Sequence, residues 1–216
     1  IKYEESHQVI VDLTDMGFSM KDALIIYNKY KVMTKDIISN NIYKIVYDIN
    51  EIPFLKVDTI ALNEGISKDD KRRVLAVILY IMNAIIYKNG DLYLEREIIV
   101  NNVNRFIGID INSDDYDDYF YQLQEDGKIK IDYNDYYLKD IWDAQDNIIN
   151  SIYMLSNKET NKYTNLDCYI NDLEEESGFV YNDEQRDAIS KAIENNILII
   201  NANFHIILYS LFFQTY

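Results

Sequence analysis

Apolar residues recur at helical spacing through residues 4–88. In "SMKDALIIYNKY", Ala23, Ile26, Tyr27 and Tyr30 fall on one face, and Ser19 with Asp22 three residues on forms a capping arrangement that predicts the helix start. "FLKVDTIALNEG" brings Phe54, Val57, Ile60 and Ala61 together and stops at Gly65, a residue suited to a helix C-terminus. "DDKRRVLAVILYIMNAII" lines up Val74, Val77, Ile78, Ile81 and Ile85 behind an acidic first turn, which predicts a long helix. "LTDMGFSMKDALIIY" and "VYDINEIPFLKVDTIAL" are weakly alike: each has a lead-in, a tight turn with an aromatic, then a helix. That is the outline of two helix-hairpin-helix units.

From 89 to 155 the period changes. Two helical stretches, "EREIIVNNVNRFI" and "DDYDDYFYQLQED", precede "GKIKIDYNDYYL", where apolar and polar residues alternate around a turn expected at Asn134-Asp135. Two helices and a hairpin predict a winged-helix-like unit, from which "KDIWDAQDNIINSIYML" leads away as a long helix. Residues 156–180 are polar, weakly periodic and acidic at their end, and are expected to be a linker. A helix from "NDEQRDAISKAI" and a strand at Ile197–Ile200 follow.

Composition narrows the classes. With Pro 1 and Gly 6 in 216 residues, punctuation is sparse, favouring long helices over a turn-rich β fold. The formal net charge of -16 opposes a free-standing DNA binder, since non-specific affinity comes from Lys and Arg displacing counterions. Any DNA contact must therefore be local. Cys168 is the single cysteine, so no intramolecular disulfide forms, and a cytoplasmic location is expected. His7 and His205 make no metal-ligand spacing with it, and no metal site is expected. Asp114-Asp115 and Asp117-Asp118 read as a solvated helix start. The run from Ile197 to Phe213 is about 17 residues long and interrupted by Asn201, Asn203 and His205, so no membrane span is expected.

Taken in order, "DMGFSMKDALIIYNKY", "DINEIPFLKVDTIALNEGISKDDKRRVLAVILYIMNAI", "YYLKDIWDAQDNIINSI" and "YNDEQRDAISKAIENNILII" resemble the N-terminal region of RecD-like 5′-to-3′ DNA helicases, from about Glu5 to Ile200. The resemblance implies a mainly α chain. Residues 1–88 would form a helix-hairpin-helix bundle, 89–155 the winged-helix-like unit and 156–180 the linker. Residues 181–216 would be the truncated start of a RecA-like α/β ATPase domain. It also implies DNA as partner, single-stranded or at a junction, and ATP with Mg²⁺ as cofactors of the complete family protein.

The hairpins depart from the family pattern unequally. Such turns hold a phosphate by backbone N–H groups where Gly allows close approach. The family's Gly-Ile-Gly-Phe stands here as Glu51-Ile52-Pro53-Phe54, in which Pro53 has no N–H and Glu51 adds a negative charge. That hairpin is expected to pack only. The first keeps Gly17, Ser19 and Lys21, read either as a DNA contact or as a turn that orients two helices. Lys68, Lys71, Arg72 and Arg73 form the densest basic cluster, read either as a backbone contact or as a solvated helix start beside Asp69 and Asp70.

By the resemblance, Gln185 takes the place of the adenine-reading glutamine, with Tyr181 beside the base; the alternative is a helix capped at Asn182 or Asp183 with Gln185 exposed. A phosphate loop needs G-x-x-x-x-G-K-[ST]. Asn201-Ala202-Asn203-Phe204-His205 has no Gly or Lys there, so the chain is expected to hold no cofactor and to be inactive alone. The apolar tail, Ile206 to Phe213, is expected to favour self-association. The alternatives to a DNA-binding, scaffolding part of a helicase are a non-enzymatic protein-interaction module and a decayed, truncated gene product.

Overall fold

The computed structural model describes residues 2–159 and 164–200. It is mainly helical, with one small antiparallel sheet, and divides into two compact units, Ile1–Ala144 and Gln145–Tyr216.

The first unit opens with α1 (Lys2–Asp15) and α2 (Met20–Tyr30), joined by a short turn, then a 3-10 turn (Lys31–Met33) and α3 (Thr34–Asn41). A second hairpin follows, α4 (Lys44–Asp48) and α5 (Phe54–Asn63), and then α6 (Lys71–Asn89). Ser19 is the N-cap of α2, its Oγ accepting from the Asp22 N–H at 3.2 Å. The expected inward residues of α2 and α5 are buried, save Tyr27, which is half-buried. In α6 the stripe is wider than its spacing predicts. Arg73 through Leu79 are all buried, whereas Ile81 and Ile85 are only half-buried. A helix apolar nearly all round belongs inside a bundle, and α6 is covered from both sides of the unit.

The rest of this unit is β1 (Leu94–Glu95), α7 (Arg96–Ile107), α8 (Ser113–Glu125), β2 (Ile129–Asp132) and β3 (Asp135–Leu138). The sheet order is β1-β3-β2, both pairs antiparallel. The two-residue strand β1 carries no alternation that its sequence could reveal. The hairpin turn lies one residue earlier than expected: Asp132 pairs with Asp135, so Tyr133 and Asn134 form the loop.

One hydrophobic cluster runs from Val9 to Leu138, so the chain position expected to separate two domains, at 88, has continuous core on both sides. Phe54 of α5 lies 4.5 Å from the Tyr80 ring of α6 and 6.0 Å from Phe106 of α7. Phe54 is buried, which contributes roughly 1.5–3 kcal/mol, while Tyr80 and Phe106 are half-buried, and this trio ties the second hairpin to the strand-bearing part.

Helix α9 (Lys139–Ser156) begins at the end of β3; the second unit continues with α10 (Leu166–Ser177) and α11 (Asp183–Glu194). Part of the expected linker is thus the helix α10, which ends at Gly178. Arg186 of α11 bonds both carboxylate oxygens of Glu174 and the Asn171 Oδ1, joining α10 to α11. Paired with Arg186, and accepting from the Tyr181 N–H, the Glu174 carboxyl sits below its ordinary value.

Ile197–Ile200 does not form the expected strand. A strand needs a hydrogen-bonded neighbour, and no β-strand is assigned in this unit among the described residues; Ile199 is 90% exposed. The segment Asn201–His205 and the apolar tail lie outside the described residues. Among the described residues, no helix is long and apolar enough to cross a membrane, and no group of three or more His, Cys, Asp or Glu gathers as metal ligands would.

Candidate nucleic-acid interface

The turn of the first hairpin spends its own amides. Met16, Gly17 and Phe18 donate to the carbonyls of Asp12, Thr14 and Leu13 at 3.1, 3.0 and 3.1 Å, closing the end of α1. Gly17 sits at φ +110, a conformation L-residues avoid. A Cβ there would lie 3.5 Å from Ile60 Cγ1, an ordinary contact, so conformation and not space selects Gly. Gly17, Ser19 and Lys21 are all exposed.

What lies open to an anion is the first turn of α2, where helix geometry leaves N–H groups without partners inside the helix. Ser19 Oγ takes the Asp22 N–H, and the Ser19 carbonyl takes that of Ala23 at 2.9 Å. Asp22 is buried, accepts from Ser19 Oγ at 2.6 Å and forms an ion pair with Lys56 of α5. Burial raises the Asp22 carboxyl, but the bonds from Lys56 and Ser19 together outweigh it and leave the group below its ordinary value. Lys56 was not singled out by its sequence position. It meets this turn only because α5 crosses behind it, and no local pattern marks that.

In the second hairpin Pro53 is the N-cap of α5, with no side-chain cap, and Glu51 is exposed. Ile49 and Ile52 are buried. The turn needs no positive φ and anchors itself by apolar side chains.

The basic cluster is divided by the fold. Arg73 is buried: Nε and Nη2 donate to the two oxygens of Asp58 at 2.8 and 3.0 Å, and Nη1 to the Lys68 carbonyl at 2.8 Å. Tyr43 adds its hydroxyl to Asp58 Oδ1 at 2.8 Å. The bond to Asp58 raises the Arg73 guanidinium further above its ordinary range. This corrects the expectation of a DNA contact at Arg73, whose donors face inward. Arg72 is half-buried, forked onto Asp70 at 2.7 and 2.9 Å and bonded to the Asn40 carbonyl at 2.7 Å. Both groups hold the start of α6 in place. Lys71 is exposed, its Nζ 6.0 Å from the Tyr119 ring centre. Nearby, a cleft of about 420 Å³ with an apolar floor of Val9, Leu13 and Ile42 has Lys35 and Arg72 at its rim, each already paired with an Asp.

Gln185 belongs to a capping box: its N–H donates to Asn182 Oδ1 at 2.8 Å, and its Oε1 accepts from the Asn182 N–H at 3.0 Å. That oxygen thus has one bond already, with its second lone pair and the side-chain NH2 left for any further partner. Tyr181 is half-buried, 5.2 Å from the Phe179 ring. The structure therefore brings Gly17, Ser19 and Lys21 to one turn and adds Lys56, while Tyr181 and Gln185 belong to the second unit.

Two helical hairpins in one core, the first with its glycine turn and capped second helix, define a helix-hairpin-helix domain. Residues 2–93 match the family model described as the ATP-dependent RecD2 DNA helicase HHH domain. Over that span the chain is similar to the N-terminal region of RecD2-like helicases.

Proposed function

We propose that this chain acts as a DNA-engaging and scaffolding part of a RecD2-like helicase, with the first hairpin as the DNA contact. The observation that carries the reading is the contrast between the two turns within a domain that matches the helicase family. The first presents Gly17, Ser19 and Lys21 to solvent at the start of α2, where first-turn N–H groups have no partner within the helix and suit a phosphate oxygen. Lys56, paired with the buried Asp22, holds α5 to this turn. Lys71 adds a second cation; Arg72 and Arg73 are assigned to the scaffold. A winged-helix reading of the strand-bearing part is supported by the order α6, β1, α7, α8, β2, β3 and the β1-β3-β2 sheet. ATP-driven unwinding, repair and recombination enter this proposal through the family alone.

A second reading, a protein-interaction module, is favoured by one specific feature. The outer face of α8 carries Asp114, Asp115 and Asp118, all exposed, and such a helix would be repelled from a DNA groove.

Fluorescence anisotropy with single-stranded and forked DNA across a salt series tests the choice. Lys21→Glu should weaken binding at least tenfold at low salt and flatten the salt slope by about two units, one for the lost contact and one for the added repulsion. Its thermal unfolding should match the wild type, because Lys21 is exposed. Failure of the wild type to bind any DNA at low salt rejects the DNA reading in favour of the interaction module.

A further inference from the structure

The hairpin of β2 and β3 ends in a feature the first-hairpin contact does not use. Tyr133 is 100% exposed, so the fold gains no burial from its ring. Its φ is +53, in the left-handed region where a bulky side chain crowds the backbone and where two-residue hairpin loops favour Gly, Asn or Asp. Tyr is common in this chain, Tyr 20 of 216 residues, so exposure alone carries little weight. Other exposed tyrosines, such as Tyr121 at 65% and Tyr153 at 68%, lie on helices in ordinary backbone geometry. Tyr133 combines full exposure with an unfavourable backbone at the tip of a projecting loop. The two-residue loop itself sets the positive φ; what the fold does not account for is why a fully exposed Tyr, and not Gly, Asn or Asp, occupies that position.

The groups around the tip select the ligand. Asp132 is exposed and Asp135 half-buried, one on either side of the loop, and two carboxylates disfavour a phosphate. Lys128, just before β2, and Lys130 on β2 are turned to the rings of Tyr47 and Trp142, at 5.2 and 5.8 Å from their centres. The tip thus offers an aromatic face without an anion grip. A base inside a duplex shows only its edges, whereas an unpaired base shows its face, and stacking on an aromatic side chain tolerates any sequence.

Resting on the DNA-binding reading, we infer that Tyr133 is a base-stacking residue that takes an unpaired nucleobase of single-stranded or forked DNA at the tip of the β2–β3 hairpin. The first hairpin holds backbone; this loop reports whether the strand beside it is open.

The full chain is titrated with three DNAs, blunt duplex, single strand and fork, the latter two carrying 2-aminopurine at successive unpaired positions. The wild type should quench 2-aminopurine at one or two positions of the fork. Tyr133→Gly should abolish that quenching and weaken single-strand and fork binding by about fivefold to a hundredfold, from the stacking energy of one base, with blunt duplex binding unchanged. The same variant should melt at a higher temperature, because Gly accepts the positive φ, and so an unfolded sample is not the cause. Tyr133→Trp should retain quenching and affinity. Unchanged fork affinity in Tyr133→Gly, equal loss on blunt duplex, or wild-type binding without quenching would each overturn the inference while leaving the first-hairpin contact standing. Absence of all DNA binding by the wild type removes the reading beneath both.

Discussion

The two hairpins of the first unit share an outline and differ in what holds them. In the first, Gly17 at φ +110 makes the turn, Ser19 caps the next helix, and a partly exposed ion pair, Asp22 with Lys56, fastens it to α5. In the second, no residue needs a positive φ, Pro53 caps without a side-chain bond, and Ile49 and Ile52 are buried. Behind it, Tyr43, Asp58 and Arg73 form a closed buried network linking the start of the hairpin to α5 and α6. One turn is held by backbone chemistry and keeps an open helix start; the other is held by side chains and offers a proline and a carboxylate. Similar helices can therefore serve recognition at one turn and packing at the other.

The largest effect expected is on the second hairpin's anchor. Arg73→Ala leaves the Asp58 carboxylate buried without its cation, which should cost about 3–5 kcal/mol, measured by urea unfolding. A loss below about 1 kcal/mol would break the comparison by showing that the network is not what fastens this hairpin.

Next comes the glycine turn. Gly17→Ala should cost about 1–3 kcal/mol, because the backbone strain is unavoidable while the Cβ contact at 3.5 Å is ordinary. Glu51→Gly, the corresponding change toward the family pattern, should leave DNA affinity unimproved beyond the removal of one charge, since Pro53 still lacks an N–H. A rise of more than tenfold would show that the second turn is a latent phosphate site and erase the distinction.

The smallest effect is on acid stability. Because the Asp22 carboxyl is depressed in the folded protein, its contribution is present above the unfolded value, about pH 3.9, and is lost as pH falls through the folded value. Lys56→Met removes part of the depression, so this variant should lose less stability than the wild type on acidification below about pH 4. Asp12, Asp70 and Glu174 are also depressed and contribute to the same acid limb, so the difference between the two proteins is the quantity that tests the pair.

Periodicity made most helices legible. The Ser19 cap, the inward faces of α2 and α5 and the Gly65 stop stand where the spacing predicts, because each depends on residues within one or two turns. The helix α10 was obscured by polar composition, since Ile170 alone of its residues is buried. The strand expected at Ile197–Ile200 failed for the opposite reason: apolar, β-branched residues fit a strand, but a strand exists only when another pairs with it. In the site, Gly17, Ser19 and Lys21 were visible as a local motif. Arg73 looked like its basic neighbours, and only the arrival of Asp58 from another helix turned it inward. Gln185 is a helix N3 residue as well as a candidate base reader, and its sequence place allows both.

By itself, then, the sequence determined what short-range rules control: helix faces, caps, the one turn that needs a glycine, and the order of elements that resembles a helicase's N-terminal region. Tertiary structure alone decided which charges remain open to a ligand. Lys and Arg are alike in a string of letters, but whether a cation faces solvent or a buried carboxylate depends on groups many residues away that packing brings to it.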